Sequence, residues 1–329
     1  MISVEKIKAV MIGHAVGDAL GVPVEFRKRE ELKENPVTDM IGYGTYPVPA
    51  GAWSDDTSMS LATLDSLMKN TVDYDDIMNN FVKWLINSEY TPTGQVFDVG
   101  NTCRTAIENY LQADGKPASE CGLADKLSNG NGSLMRIHPM CLYLYAKETD
   151  EDEAIEILYK TSSVTHAHRG AKRACGIYAF VLWEILRNPC KAAVIRGLSR
   201  ARRKFGFGRG YRVFDRILTR NGITDENGEY TDDSLSVTEE DVRSSGYVVH
   251  TLEAAVWCLY FTSSYRECVL RAVNLGDDTD TVAAVAGGLA GALYGYDAIP
   301  EEWKNRLIRR DYIEGLCERA GLVWRKGEE

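Results

Sequence analysis

Between residues 276 and 295 the chain reads GDDTDTVAAVAGGLAGALYG, and this stretch constrains the fold more than any other. It predicts a helix over 279–294 in which Ala283, Ala284, Ala286, Gly287, Gly288, Ala290 and Gly291 carry almost no side chain. Each glycine costs a helix roughly 1 kcal/mol relative to alanine. So many small residues are best explained by neighbouring helices approaching backbone to backbone, which makes this helix central. Its start then lies in the interior, and that start holds Asp277, Asp278 and Asp280 with Thr279 and Thr281. Asp and Thr cap helix starts, and negative charge there is favoured by the helix dipole. Three acids in four positions exceed what a cap requires and repel one another, so a positive partner is expected.

A second acidic start stands at 53–61, WSDDTSMSL. Asp55, Asp56 and Thr57 precede Leu61, Leu64, Leu67 and Met68, which fall at helical spacings of three and four. Two such starts suggest two halves of one site. Carboxylates with Thr or Ser hydroxyls are hard oxygen ligands suited to Mg²⁺, Mn²⁺ or Ca²⁺. Neither motif contains a histidine, which disfavours zinc, and the spacing differs from an EF-hand loop. Four or more carboxylates can hold two divalent ions. Double capping accounts for the same residues, and periodicity does not choose between Asp277 and Asp278 as a ligand. Both readings stand at this level.

Almost every other periodic segment reads as helix: 4–20, 75–87, 101–113, 151–162, 170–187, 190–204, 247–261 and 264–274. No run of alternating apolar residues predicts a strand. An all-α, single-domain bundle over 1–329 follows, with the polar, acidic stretch 221–243 expected as an exposed excursion. The net charge of −10 argues against general nucleic-acid binding. The eight cysteines form no CxxC pair and no zinc-finger spacing, no signal-peptide pattern opens the chain, and Lys6 and Lys8 interrupt the first apolar stretch. Reduced thiols in a cytoplasmic protein are the expectation. The longest apolar run, 282–293, is too short to span a bilayer, so no membrane segment is expected.

Weaker signals are scattered between these. The loop SNGNGSLMRIHP at 128–139 carries alternating glycines, whose N–H groups can cradle a phosphate, although taken alone it reads better as a surface turn. Arg136 there can add charge or pair with an internal carboxylate. His166 and His168 open a helix and read as structural hydrogen-bonders. Glu25, after the turn VPV, is either a catalytic acid or an exposed one, and Asp98 reads as a helix cap. The basic stretch 199–212 reads as a solvated helix end.

Taken together, the motifs resemble the ADP-ribosylglycohydrolases, which include the ADP-ribosyl-acceptor hydrolases and the dinitrogenase-reductase-activating glycohydrolase. The matching pieces are GDALGVPVEF at 17–26, WSDDTSMSL at 53–61, FDVGNTCRTA at 97–106, NGNGSLMR at 129–136, THAH at 165–168, SGYVVHTLEAAVW at 245–257 and NLGDDTDTVAAVAGGLAG at 274–291. They occur in the family's order over nearly the whole chain. The resemblance implies an orthogonal all-α bundle with a dinuclear Mg²⁺ or Mn²⁺ cleft. Its metal motifs fall on Ser54, Asp55 and Asp56 and on Asp278, Asp280 and Thr281. That leaves Asp277 as a cap or a group behind the ligands.

The family's glycine-rich loop falls on Asn131, Gly132, Ser133 and Met135, lying along the diphosphate or ribose. His166 is implied to contact the distal ribose or that loop, and Tyr247 to support the ligand. Glu25 is implied as the acid/base, with Asp56 and Asp98 as rivals. The implied activity is metal-dependent hydrolysis that removes ADP-ribose from a conjugate, such as an ADP-ribosylated protein. The alternatives are a non-catalytic ADP-ribose-binding or structural member of the fold, or a di-metal hydrolase of another nucleotide.

Overall fold

The computed structural model describes residues 2–113, 115–206, 214, 216, 217 and 237–325. Among them lie fourteen α-helices: α1 Val4–Gly21, α2 Arg29–Glu34, α3 Asp55–Leu67, α4 Tyr74–Asn87, α5 Asn101–Gln112, α6 His138–Ala146, α7 Glu151–Ser163, α8 Arg169–Arg187, α9 Lys191–Phe205, α10 Val248–Tyr260, α11 Tyr265–Asn274, α12 Thr279–Tyr294, α13 Glu301–Arg306 and α14 Arg310–Val323. No strand occurs among the described residues, and pairing is limited to two isolated bridges, Leu123 with His166 and Gly130 with Tyr247. The all-α expectation holds, and the helices expected from periodicity end within two residues of their observed limits. The short α2 and α13 and the almost wholly buried α6 add to them. A helix buried all round has no polar face for periodicity to reveal. Helix α14 adds a legible apolar stripe, Ile313, Leu316, Cys317 and Ala320.

Helices α1 and α12 form the centre of the bundle and run antiparallel, with Gly13 facing Gly287, Gly17 facing Ala283 and Gly21 facing Asp280. A Cβ placed on Gly17 would lie 2.1 Å from the Ala283 carbonyl oxygen, and one on Gly291 1.9 Å from that of Ala9. Real carbon atoms do not approach so closely, so the glycines are what lets the two backbones touch. The Tyr265 hydroxyl, from α11, clamps the pair by donating to the Gly13 carbonyl at 2.6 Å. By length and composition Val4–Val24 is apolar enough to cross a membrane, but 94% of its most apolar 18 residues are buried inside the fold. Its apolar character is accounted for by α12.

The stretch 221–243 needs a correction at its end. Residues 221–236 lie outside the described residues, and in 237–243 Thr238, Glu240, Asp241 and Arg243 are exposed as expected while two valines are not. Val237 and Val242 are buried, the Trp257 indole donates to the Val237 carbonyl at 3.0 Å, and Arg29 donates to the carbonyls of Glu239 and Val242 at 2.6 and 2.7 Å. Two valines supply the apolar contact that the acidic letters around them conceal. The basic helix end at 200–204 is likewise engaged, because Arg200 pairs with Glu151 and Glu184, and Lys204 with Glu151. Its continuation, 207–212, lies outside the described residues.

Candidate active site

The close packing of α1 on α12 brings the acids together. Gly21 sits against Asp280, and the Thr279 hydroxyl donates to the Gly21 carbonyl at 2.8 Å. The chain then makes a single 3₁₀ turn, Val22–Val24, fixed by Pro23, which delivers Glu25 to the same place. One turn earlier, Asp18 reaches from α1 to the start of α3. Its two oxygens accept from the Ser54 N–H (2.9 and 3.2 Å), the Thr57 N–H (3.0 Å) and the Thr57 hydroxyl (2.6 Å). Ser54 is the N-cap residue, and its hydroxyl accepts from the Asp56 N–H. With Asp18 and Ser54 capping α3, the carboxyls of Asp55 and Asp56 are not needed for it.

The start of α12 is built differently. Asp278 occupies the N-cap position but makes no side-chain cap bond. Its Oδ2 instead accepts from the Asn131 amide at 2.8 Å, and that amide also donates to Thr251. The Thr281 N–H donates to Asp280 Oδ1. Asp277 is neither cap nor support. Its backbone is left-handed (φ 58°), and its carboxylate turns outward to Lys28 at 2.8 Å.

The result is a buried acidic centre. Asp18, Asp56 and Asp280 each place a carboxylate oxygen within 4.8 Å of the others, and so do Glu25, Asp278 and Asp280, so the two groups share Asp280. Asp55 stands outside both groups, buried alongside Asp56. Four buried oxygens have no hydrogen-bond partner: Glu25 Oε2, both oxygens of Asp56, and Asp280 Oδ2. No lysine or arginine among the described residues forms an ion pair with any of these acids. The fully buried rings of His14 and His138 stack at 4.1 Å, and burial holds both neutral, His14 pushed down to about 3, so they offset nothing.

Burial is the main force on every acid. It pushes Asp18 up to about 6 against its hydrogen bonds from Thr57 and Ser54. Burial, with Asp98 and Asp278 nearby, pushes Glu25 up to about 9. Asp55, Asp56 and Asp280 are driven well above the carboxylate range by burial and by one another. Orphaned carboxylate oxygens packed this tightly are costly unless a cation joins them. An all-oxygen donor set fits a hard divalent metal. Asp18 is the poorest ligand of the set, because three donors already occupy its oxygens.

The loop at 129–136 lies beside this centre. Asn131 N–H donates to the Gly246 carbonyl and Val248 N–H to that of Asn129, which stitches the loop to the start of α10. Gly132 is required by its neighbours, since a Cβ there would lie 2.7 Å from His166 Cε1 and 3.0 Å from Cys103 Sγ. Ser133 and Met135 are buried, with the Ser133 hydroxyl accepting from Ser162. The N–H groups of Gly132, Ser133 and Leu134 find no backbone acceptor among the described residues. His166 is buried against the loop, its Nδ1 2.9 Å from the Thr165 hydroxyl, and burial and Arg136 push it down to about 3. It is thus a neutral prop. His168 caps α8 by accepting from Gly170 N–H. Tyr247, half-buried at the start of α10, packs edge-on against His250. Arg136 pairs with no carboxylate. It donates to Thr161 and Thr165 and lies over the Phe81 ring at 4.7 Å.

At the mouth stands Asp98, which caps nothing. The N-cap of α5 is Gly100, and Asp98 holds a left-handed backbone (φ 50°) that turns it toward the acids. Burial and Asp278 raise its pKa, opposed by the Tyr46 hydroxyl, which lies within hydrogen-bonding reach of both Asp98 and Glu25. Asp18 and Tyr46 are the two residues of this centre that the sequence reading missed. Asp18 had a signal, an acid inside an otherwise apolar helix that must be buried. Tyr46 sits in a loop whose path no pattern fixes.

The chain is similar to known proteins along nearly its whole length. The family model described as ADP-ribosylglycohydrolase matches residues 2–329. The ADP-ribosylarginine hydrolase Tri1 of Serratia proteamaculans is 34% identical over 321 residues, covering 96% of this chain and 79% of that protein. The ADP-ribosyl-[dinitrogen reductase] glycohydrolase of Rhodospirillum rubrum is 29% identical over 328 residues and covers 97% of each chain. A solved structure described as an ADP-ribosylglycohydrolase-related protein complex superimposes with a TM-score of 0.77 at 30% identity, covering 97% of this chain and 98% of its own.

Proposed function

The chain belongs to the ADP-ribosylglycohydrolase family, an enzyme that removes ADP-ribose from a conjugate by hydrolysis, and on that premise we propose that its acceptor is an arginine side chain and that it works with two divalent cations, Mg²⁺ or Mn²⁺. The acceptor rests on the relatives of 34% and 33% identity, both ADP-ribosylarginine hydrolases. The cations rest on one observation, the four buried carboxylate oxygens without a partner. Asp56, Asp278 and Asp280 would hold them, with Asp55, Ser54 and Thr281 as flanking oxygen donors of the two helix starts. Bound there, divalent cations would supply Lewis acidity toward the hydroxyls of the distal ribose.

The protein's own groups do the rest. The free N–H groups at 132–134 face the diphosphate, and Asn131, His166 and Tyr247 keep that loop in place. Glu25 is the acid/base. Its Oε2 is buried and free, and it remains available to exchange a proton while the aspartates of the two helix starts are engaged by cations. In the reaction the bond from the ribose anomeric carbon to the guanidine nitrogen breaks and water supplies the new oxygen. Glu25 passes a proton from the water to the leaving nitrogen. Asp98 faces the same space and steers the leaving group.

The test is release of ADP-ribose from an ADP-ribosylarginine peptide, with Mg²⁺, with Mn²⁺ and with chelator. Turnover only with metal is expected. Equal turnover in chelator, or cleavage confined to serine or nucleic-acid conjugates, would overturn the metal or the acceptor respectively.

A further inference from the structure

We propose that Tyr46 and Phe97 form a shelf on which the acceptor guanidinium rests, so that these two rings set acceptor specificity. The inference rests on the reading above and locates its leaving-group side. The rings lie with centroids 5.0 Å apart, both half-buried. Behind them is a small apolar cluster, Val22, Val48 and Ala52 with Ile308, separate from the main core. One side of the pair is therefore held firmly while the other reaches solvent.

The loop that carries Tyr46 is fastened to the turn that carries Glu25. Thr45 N–H donates to the Pro23 carbonyl at 2.9 Å, and the Thr45 hydroxyl donates to the Glu25 carbonyl at 2.7 Å. Gly44 is pressed onto Pro23 so closely that a Cβ would lie 1.8 Å from its carbonyl oxygen. Tyr46 cannot move without moving Glu25. Tyr46 lies close enough to Glu25 and Asp98 to lower the pKa of each, and Glu25, only 5% exposed, keeps Oε2 without a partner.

Charge selects the occupant. The centre gathers Asp18, Glu25, Asp55, Asp56, Asp98, Asp278 and Asp280, and no cationic side chain among the described residues pairs with any of them. Two divalent cations would leave several carboxyls uncompensated, and those nearest the mouth are Glu25 and Asp98. Carboxylates along one edge and aromatic faces along another are what a planar cation requires. Its N–H groups meet the acids and its face lies on a ring. An ammonium offers no face to stack. A phosphate is repelled, which leaves the diphosphate to the N–H groups at 132–134.

The experiment is calorimetry on the Mg²⁺-loaded protein with agmatine, the equally charged diamine putrescine and N-propylurea, repeated on Tyr46→Leu, Phe97→Leu and the conservative Tyr46→Phe, with ADP-ribose titrated in parallel. Agmatine should bind at least about fivefold more tightly than the diamine or the urea, and the Leu variants should weaken it about tenfold. Their ADP-ribose affinity should stay within about twofold, and the loss of Phe97→Leu on the arginine conjugate should appear in KM rather than kcat, whereas Tyr46→Leu, beside Glu25, should lower kcat as well. Agmatine binding no tighter than putrescine, or a Leu variant that loses ADP-ribose affinity instead, overturns the shelf. Should Tyr46→Leu not fold, Phe97→Leu and Tyr46→Phe carry the same comparison. Absence of arginine-conjugate hydrolysis with this agmatine pattern intact would count against the acceptor assignment while supporting the shelf.

Discussion

The chain begins α3 and α12 with nearly the same letters, Asp55-Asp56-Thr57 and Asp277-Asp278-Thr279-Asp280, yet supports them in opposite ways. At α3 another helix does the capping. Asp18 and the Ser54 hydroxyl satisfy the free N–H groups, and Asp56 is left with both oxygens bare. At α12 no side chain caps. Asn131 holds Asp278 from across the site, and Asp277 faces solvent against Lys28. A helix start crowded with acids is therefore not one device. Which acid caps, which is stored unpaired and which merely decorates the surface is decided by residues far away in sequence.

The comparison can be broken most directly at Asp280, the acid common to both groups. Asp280→Ala should reduce turnover by about 10³-fold or more and abolish the rise in Tm that Mg²⁺ gives the wild type. Circular dichroism should show α12 intact, since Asp280 accepts only the Thr281 N–H of its first turn. Turnover within tenfold of wild type would remove Asp280 from the site. Glu25→Gln is the next largest effect, about a 10²-fold fall in kcat with ADP-ribose affinity retained. Normal turnover in that variant would pass the acid/base role to Asp98 or Asp56.

Asp18→Asn sharpens the contrast from the supporting side. An amide cannot accept from all three donors around Asp18, so one is stranded in the core. A loss of about 1–3 kcal/mol in denaturant unfolding is expected. The same change at Asp278 should weaken metal binding with less effect on stability, and equal stability losses would make the two starts equivalent after all.

A pH titration follows from the same burial. Without metal, folding raises Asp18 from 3.8 to about 6 and Glu25 from 4.5 to about 9. A group raised on folding contributes stability that is fully present below its unfolded pKa and lost as pH climbs through the folded one. The metal-free protein should thus lose stability between about pH 4 and 9, whereas cations favour the ionised acids. The Tm difference between Mg²⁺-loaded and metal-free protein should widen by a few degrees over that window. A constant difference would mean the acids stay ionised without help. Smallest of all, Asp277→Asn should change neither Tm nor turnover measurably.

Much of this was legible in the letters. The small-residue stripe of α12 pointed to a central helix, and the two acidic starts pointed to one site, because both rest on local rules of packing and capping. Asp277 was not separable from Asp278, since the left-handed backbone that turns it outward is set by contacts with Arg27 and Phe26. Asp98 reads as a cap by position and is aimed elsewhere by its backbone. Gly132 invites a ligand-approach argument, and its immediate reason is the His166 ring. Tyr46 had no signal, because loop paths depend on tertiary fastenings such as Thr45 on Pro23.

The pairing of α1 with α12 also has a consequence during synthesis. Helix α1 is made before α12 and is apolar along most of its length, so the surface that covers it arrives late. The bond from Thr279 to Gly21 closes a loop of 258 residues. At about 5–20 residues per second the ribosome needs roughly 13–50 s to bridge that interval. For all that time the nascent chain carries an apolar helix without its partner, which makes it a client for holding chaperones. Neither acid group is complete until Asp280 has been made, so the segments that precede it cannot act without α12.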